Sequence, residues 1–325
     1  MTFYGGEPLL NIEGIKYSLQ KAEEMKDDKE LLEYSAGIIT NGTLINEEVI
    51  DLINKYPIGY MQITLDGPKD IHDSRRVKVN GEGTFDEIIG NIKQVAEKVE
   101  NDKFKLGIRI NVDKLNIDRI PELLLCLKRE VPQDNITISF GIIRQGINTC
   151  GDISTICLSR EELKKALWKL WTTAWKMGFK VYTRPFPKFF SCTFDALNGF
   201  VIDPYLKVYP CWELVGLEEF SIGQLTEDGK FVPTPLFYET KTRNALEIPE
   251  CKKCKLLPIC MGGCAVEALK LNGNFNKSGC FSKRYDYDIG LLHYLMRRYK
   301  NVICENDIWY YLNNVWRDNN EETKL

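Results

Sequence analysis

Seven cysteines have the types and spacing to do metal chemistry. Cys251, Cys254, Cys260 and Cys264 are separated by two, five and three residues, Cys280 follows, and Cys192 and Cys211 lie upstream. Thiolates are soft donors that suit zinc and iron–sulfur centres. A C-x2-C pair with two further cysteines is enough for structural zinc, and four thiolates complete an iron–sulfur cluster. Spacing alone does not say which ligands pair. Without a secretion signal, disulfides are the weaker reading of such a run. Cys126, Cys150, Cys157 and Cys304 lack any such spacing and read as core or surface thiols.

A second set of residues stands at the ends of apolar runs. Gly5-Gly6-Glu7-Pro8 follows the first run, Thr40-Asn41-Gly42 the second, Thr64-Leu65-Asp66-Gly67-Pro68 the third and Arg109-Ile110-Asn111-Val112 the fourth. The glycines permit close approach of backbone to a ligand, and Glu7 can receive an ammonium group. Singly, each is an ordinary turn signal. Their recurrence at successive strand ends is what points to a ligand site.

The elements that must position these residues are legible as alternating patterns. Strands are predicted over Thr2 to Tyr4, Tyr34 to Thr40, Gly59 to Leu65, Phe104 to Val112 and Ile136 to Ile143. Helix-period segments run over Ile12 to Met25, Glu47 to Lys55, Phe85 to Val99 and Ile117 to Arg129. Repeated βα units imply a parallel sheet covered by helices, with the ligand site at the carboxyl ends of its strands. A further helix is predicted from Arg160 to Met177, where Ser159 and Glu162 are spaced as a capping box. Its Leu and Trp stripe reads as core. Beyond Pro185 the pattern changes to short strands, turns and cysteines. Two helices, Tyr285 to Tyr299 and Asp307 to Val315, lead into a charged tail, Arg317 to Leu325, read as disordered. His72 reads as a turn residue.

Composition narrows the classes. The chain has 325 residues and a net charge of −3, a balance that does not suggest a nucleic-acid or membrane surface, and basic stretches such as Lys252-Lys253 and Arg297-Arg298 are short. Neither a nucleic-acid partner nor a membrane is expected, and no apolar run approaches the ~20 residues of a membrane helix. The cytoplasm is the expected compartment, where thiols stay reduced.

With these residues in view, the chain resembles the radical S-adenosylmethionine (SAM) enzymes that carry a C-terminal SPASM domain, a group of peptide maturases and anaerobic sulfatase maturases. The resemblance rests on Gly5-Gly6-Glu7-Pro8, on Thr64 through Asp66-Gly67-Pro68 to His72-Asp73 and Arg76, on Tyr209-Pro210-Cys211 and on the cysteine run ending at Cys264, with Cys280 beyond. It implies that Gly5, Gly6, Glu7 and Pro8 line the methionine end of SAM, with Glu7 near its amino group and Arg76 countering its carboxylate. Thr40, Asn41, Thr64, Asp66 and Asn111 would complete the cofactor site. It also implies two auxiliary [4Fe–4S] clusters, one on Cys251, Cys254, Cys260 and Cys280, the other on Cys192, Cys211 and Cys264 with one iron lacking a cysteine. Structural zinc is the rival. The implied partners are a peptide or protein substrate and an external electron donor.

Three departures qualify the resemblance. The radical-generating cluster of such enzymes uses a C-x3-C-x2-C triplet ahead of the glycine-rich motif, and the 325 residues contain none. The expectation is therefore an N-terminally truncated α/β chain, inactive alone: a partial (β/α)6 barrel lacking its first βα unit. Leu206 stands where relatives usually place glycine, and Trp212 follows Cys211 where sulfatase maturases carry an aspartate. The expected organisation is a barrel over 1–180, a SPASM domain over 181–284 and C-terminal helices with the tail over 285–325. The expected activity of the full-length form is hydrogen abstraction from a peptide followed by thioether or carbon–carbon crosslinking. The alternatives are a non-catalytic iron–sulfur scaffold, a peptide-binding partner, or an anaerobic sulfatase maturase. No catalytic acid or base is singled out.

Overall fold

The structure is a computed structural model that describes residues 1–132, 136–147, 151–188, 192–280, 283–299 and 303–310. Cys150 and the tail beyond 310 lie outside the described residues. The chain divides into two compact units, one of Met1–Ile143 with Ile156–Tyr182, the other of Arg144–Thr155 with Thr183–Leu325.

The first unit is a parallel sheet wrapped by helices. Its elements are β1 (Thr2–Phe3), α1 (Ile12–Asp27), β2 (Ala36–Thr40), α2 (Glu47–Lys55), β3 (Ile58–Thr64), α3 (Lys69–Arg75), α4 (Phe85–Lys98), β4 (Lys105–Val112), α5 (Ile120–Glu130), β5 (Ile136–Ile142) and α6 (Arg160–Lys176). The strands run in the order β1-β2-β3-β4-β5, every pair parallel. Lys180 adds a single parallel bridge to Thr137 beyond β5.

Strand periodicity assigns the two faces of the sheet. Ile38, Met61, Ile63, Leu106, Ile108 and Ile110 are buried and belong to the apolar core that the helices cover. Register places Tyr60, Gln62 and Thr64 of β3 opposite Lys105, Gly107 and Arg109 of β4, and Arg109 and Asn111 opposite Ser139 and Gly141 of β5. This second face is polar. The Arg109 guanidinium lies across Gly141, in the space that a Cβ there would enter. Burial holds the Arg109 guanidinium below its ordinary pKa, against a pull upward from Tyr60, Tyr4 and Asp66.

One expectation is overturned. The first βα unit is not missing: β1 pairs with β2 through Thr2↔Gly37 and Phe3↔Ile38, and α1 follows it. The strand is short because Gly5 and Gly6 turn away with φ of 101° and 50°. A missing cysteine triplet does not remove the element, because backbone pairing, here including Gly37 N–H to the Met1 carbonyl at 3.0 Å, is what makes it. His72 is likewise not in a turn. It lies in α3 and is fully buried.

The second unit has little regular structure. An antiparallel sheet of short strands, β6 (Val201–Ile202), β7 (Lys207–Tyr209), β8 (Gly223–Leu225) and β9 (Phe231–Pro233), leads into α7 (Pro235–Lys241), α8 (Pro249–Lys252), α9 (Leu257–Cys260), α10 (Ala265–Asn272), α11 (Lys283–Arg298) and α12 (Glu305–Tyr310). In the β6–β7 turn Leu206 has φ of 62°, the left-handed conformation that glycine takes without strain.

Candidate functional site

At the carboxyl ends of β1 and β2, Glu7 is the organising residue. Its Oε1 accepts from Leu9 N–H at 3.1 Å and from the Thr40 hydroxyl at 2.7 Å, and its Oε2 accepts from Asn41 N–H at 2.7 Å. Thr40 is buried, and its Oγ1 accepts in turn from Gly42 N–H. Asn41 closes a local turn by accepting from Thr43. A carboxylate has about four acceptor positions. Three are taken, which leaves Glu7 room for one further donor. Pro8 sits in the first turn of the short 3-10 helix that Glu7 caps, and Gly5 and Gly6 are exposed beside it with nothing within 4 Å of where a side chain would stand.

A second group assembles at the ends of β3 and β4. Arg76 donates its Nε–H to Asp66 Oδ2 at 2.6 Å, and Asn111 N–H reaches Asp66 Oδ1 at 3.3 Å. The Asp66 side chain is 7% exposed and that of Arg76 36%, so the pair points its cation outward. The terminal nitrogens of Arg76 make no hydrogen bond among the described residues, and a guanidinium fork of this kind matches a carboxylate. Thr64 ends β3 on the polar face, opposite Arg109. Among the described residues, no hydrogen bond joins the Glu7 group to the Asp66 group.

Two supporting residues lie outside the site residues expected from the sequence. Asn116 is fully buried and donates to the carbonyls of Asp66 at 2.7 Å and Asn111 at 2.6 Å, which locks the two strand ends together. Its only signal was the Asp113-x2-Asn116 spacing of a side-chain-closed turn, seen here as Asp113 N–H donating to Asn116 Oδ1. His72 lies beneath. The Thr84 hydroxyl donates to the Arg76 carbonyl, so His72 Nε2 is the donor in its 3.0 Å contact with Thr84, and His72 Nδ1 accepts from Asp66 N–H. Desolvation holds the ring below its ordinary pKa, with Asp66 pulling it back up. It is neutral, and it fixes the backbone of the ion pair above it.

In the second unit the seven spaced cysteines lie in two groups. Cys251, Cys254, Cys260 and Cys280 line one cavity of about 490 Å³. A helical turn sets Cys254 over Cys251, and Cys260 ends α9. Cys280 is brought in by Gly279, whose carbonyl accepts from Cys264 N–H at 3.2 Å and whose N–H donates to Gly262 at 3.1 Å. Cβ atoms at Gly263 or Gly279 would overlap the facing backbone. Burial pushes the Cys251 thiol up to about 11, reinforced by Cys260, Cys280 and Cys254.

Cys192, Cys211 and Cys264 pack on the apolar cluster of Phe194, Tyr209, Leu214, Ala265 and Val266. Burial pushes Cys211 up to about 12, with Glu213, Cys192 and Cys264 adding to it and the Glu213 backbone N–H opposing it. Cys264 occupies the N-cap position of α10 without a side-chain hydrogen bond to the helix. Among the described residues, no three ligand-type side chains stand close enough to grip a single metal ion.

Comparisons with known proteins bear on the fold and the family. Residues 1–127 match the model of the radical SAM superfamily. The chain is 28% identical over 285 residues to the cysteine-type anaerobic sulfatase-maturating enzyme of Clostridium novyi, covering 81% of this chain and 72% of the relative. It is 26% identical over 291 residues to the enzyme of the same description from Clostridium perfringens, covering 81% and 73%. Among solved structures, native anSMEcpe with bound AdoMet and Cp18Cys peptide aligns with a TM-score of 0.61 at 20% identity, over 93% of this chain and 85% of that one. Streptococcus suis SuiB bound to S-adenosylmethionine aligns with a TM-score of 0.53 at 17% identity, over 87% and 65%. Residues 1–127 therefore carry the radical SAM pattern, and over 81% of its length the chain is similar to anaerobic sulfatase-maturating enzymes.

Proposed function

We propose that this chain is the SAM- and peptide-binding body of a radical SAM oxidoreductase of the anaerobic sulfatase-maturating type, with two auxiliary iron–sulfur centres in its second unit. The observation that carries the reading is the convergence of Cys251, Cys254, Cys260 and Cys280 on one cavity of about 490 Å³. A tetrahedral zinc site would draw its four sulfurs to within roughly 3.8 Å of one another around bonds of about 2.3 Å. A wide cavity with thiols on its wall suits a cluster better. Burial holds the protons on Cys251 and Cys211, and ligation to iron would displace them. Cys192, Cys211 and Cys264 would hold the second centre.

SAM together with iron–sulfur clusters supplies one-electron cleavage and hydrogen-atom abstraction when bound. The roles proposed for the chain's own residues are those that the resemblance implies, and the hydrogen-bonding at the strand ends supports them. Gly5 and Gly6 leave the backbone open to the cofactor, Pro8 fixes the turn, and Glu7 offers its remaining acceptor position to an ammonium group. Arg76, seated on Asp66, presents its fork to a carboxylate, while Thr40, Asn41, Thr64 and Asn111 set the strand ends. No C-x3-C-x2-C triplet lies within the 325 residues, so the third cluster is not assigned to them.

The likeness to the sulfatase-maturating enzymes shifts the expected chemistry from general peptide crosslinking toward that type, with a cysteine-bearing peptide as substrate. Trp212 still differs from the aspartate that the resemblance expects after Cys211, and the neighbouring Glu213 is engaged by Arg144. Anaerobic reconstitution with iron and sulfide tests the centres: about eight iron atoms per chain are expected. Uptake of about two zinc ions and no iron would overturn the reading. Fluorescence anisotropy with a cysteine-containing peptide and its alanine counterpart tests the substrate, the cysteine peptide being expected to bind at least tenfold more tightly.

A further inference from the structure

Unit 2 buries two cations two residues apart. Arg243, its side chain wholly buried, donates to the carbonyls of Phe275 at 2.8 Å, Gly262 at 2.9 Å and Lys277 at 3.3 Å, and to Asp195 Oδ2 at 3.0 Å. Asp195 neutralises it. Lys241, which ends α7, is 7% exposed. Its ammonium donates to the carbonyls of Thr193 at 3.1 Å, Phe194 at 3.1 Å and Gly199 at 2.8 Å, and lies 5.2 Å from the Phe200 ring centroid.

The three carbonyls satisfy the three N–H donors of Lys241 but not its charge. Among the described residues, no carboxylate lies within ion-pair distance of it. Two buried cations thus share one carboxylate, and a surplus positive charge in the interior is costly unless an anion meets it. Burial pushes the Lys241 ammonium down to about 8, while Asp195 and Cys192 pull it back up. Cys192 opens the turn whose carbonyls Lys241 holds. The contrast with Arg144 is instructive: that cation, which also feels Cys264, already has both Glu213 and Glu267.

We propose that Lys241 is a positioning and charge-balancing residue for the anionic centre on Cys192, Cys211 and Cys264, holding the Cys192 turn from behind and supplying the positive charge that the centre neutralises. This rests on the reading of those cysteines as iron ligands. Reduction adds an electron, so the ammonium favours it, and the potential of this centre depends on Lys241.

The test uses the anaerobically reconstituted chain, Lys241→Gln, which is neutral with two donors, and Lys241→Arg, which keeps the charge. Iron and sulfide content and EPR-monitored redox titration are the readouts, and Cys192→Ala identifies which signal belongs to this centre. Lys241→Gln is expected to lower the midpoint potential of that centre only, and Lys241→Arg to leave it near the parent value. Equal potentials in the parent chain and Lys241→Gln, at full iron content, would overturn the proposal, as would equal shifts in the Gln and Arg variants. If Lys241→Gln takes up no iron, the metal-free chains decide. A melting temperature at least equal to the parent's supports the charge role, and a markedly lower one assigns Lys241 to the fold alone. A parent chain that binds no iron at all would instead sink the reading of the cysteines, and this inference with it.

Discussion

The two units solve the problem of holding a ligand site in opposite ways. Unit 1 rests on an apolar core between parallel strands and helices, and its polar residues ride on elements that the core fixes. Unit 2 has short strands, a small apolar cluster around Phe194 and Tyr209, and cysteine-bearing loops pinned by Lys241 and Arg243 through backbone carbonyls. Where apolar area is scarce, buried cations and close-packed glycines replace it. The cost of such a scheme is brittleness, because removing one partner leaves the rest desolvated and unpaired.

Arg243→Met should expose that brittleness most. It strands Asp195 and frees three carbonyl contacts, at a cost of about 3–5 kcal/mol. Hydrogen exchange should show loss of protection over 192–280 while β2, β3 and β4 stay protected. Ile63→Ala should do the reverse, costing about 3 kcal/mol through the cavity it leaves between sheet and helices. Should both substitutions depress protection everywhere by the same factor, the two units form one cooperative body and the comparison fails.

His72 gives a smaller, pH-dependent effect confined to unit 1. Its folded pKa lies below the ordinary value near 6.5, so the unfolded chain takes up this proton first as pH falls. Stability contributed by the neutral ring is complete above about pH 7 and drains away below about 6.5, down through the folded pKa. In urea titrations His72→Gln should flatten that limb and leave the neutral-pH limb shallowly lower. Smallest is Leu206→Gly, which relieves a left-handed leucine and should stabilise unit 2 by about 0.5 kcal/mol in the same titrations.

What the sequence made legible follows the same division. The helix over Glu47–Lys55 was read residue for residue, and the Ser159–Glu162 capping box is present with both its hydrogen bonds, because amphipathic period and capping are local signals amplified by a large core. In unit 2 β6 and β7 fall within the short strands that the sequence predicts over Asn198 to Ile202 and Lys207 to Tyr209, whereas β8, β9 and the roles of Lys241 and Arg243 have no signal. A lysine that bonds three carbonyls looks like any surface lysine until the chain folds over it. The cysteines announced themselves by spacing, but their division into a group of four and a group of three came only from the resemblance. The error over the first βα unit arose from inferring an element from a ligand motif rather than from strand pairing.

Glu7 has a consequence for how occupancy of the cofactor site would be felt. The same carboxylate that, on the proposed function, would meet an incoming ammonium also laces a two-residue edge strand to its neighbour through Thr40 and Asn41. A visiting cation must share those oxygens. Arrival and departure at the site should therefore be audible along the sheet margin, as tightening or fraying of β1, even where nothing else in the barrel moves.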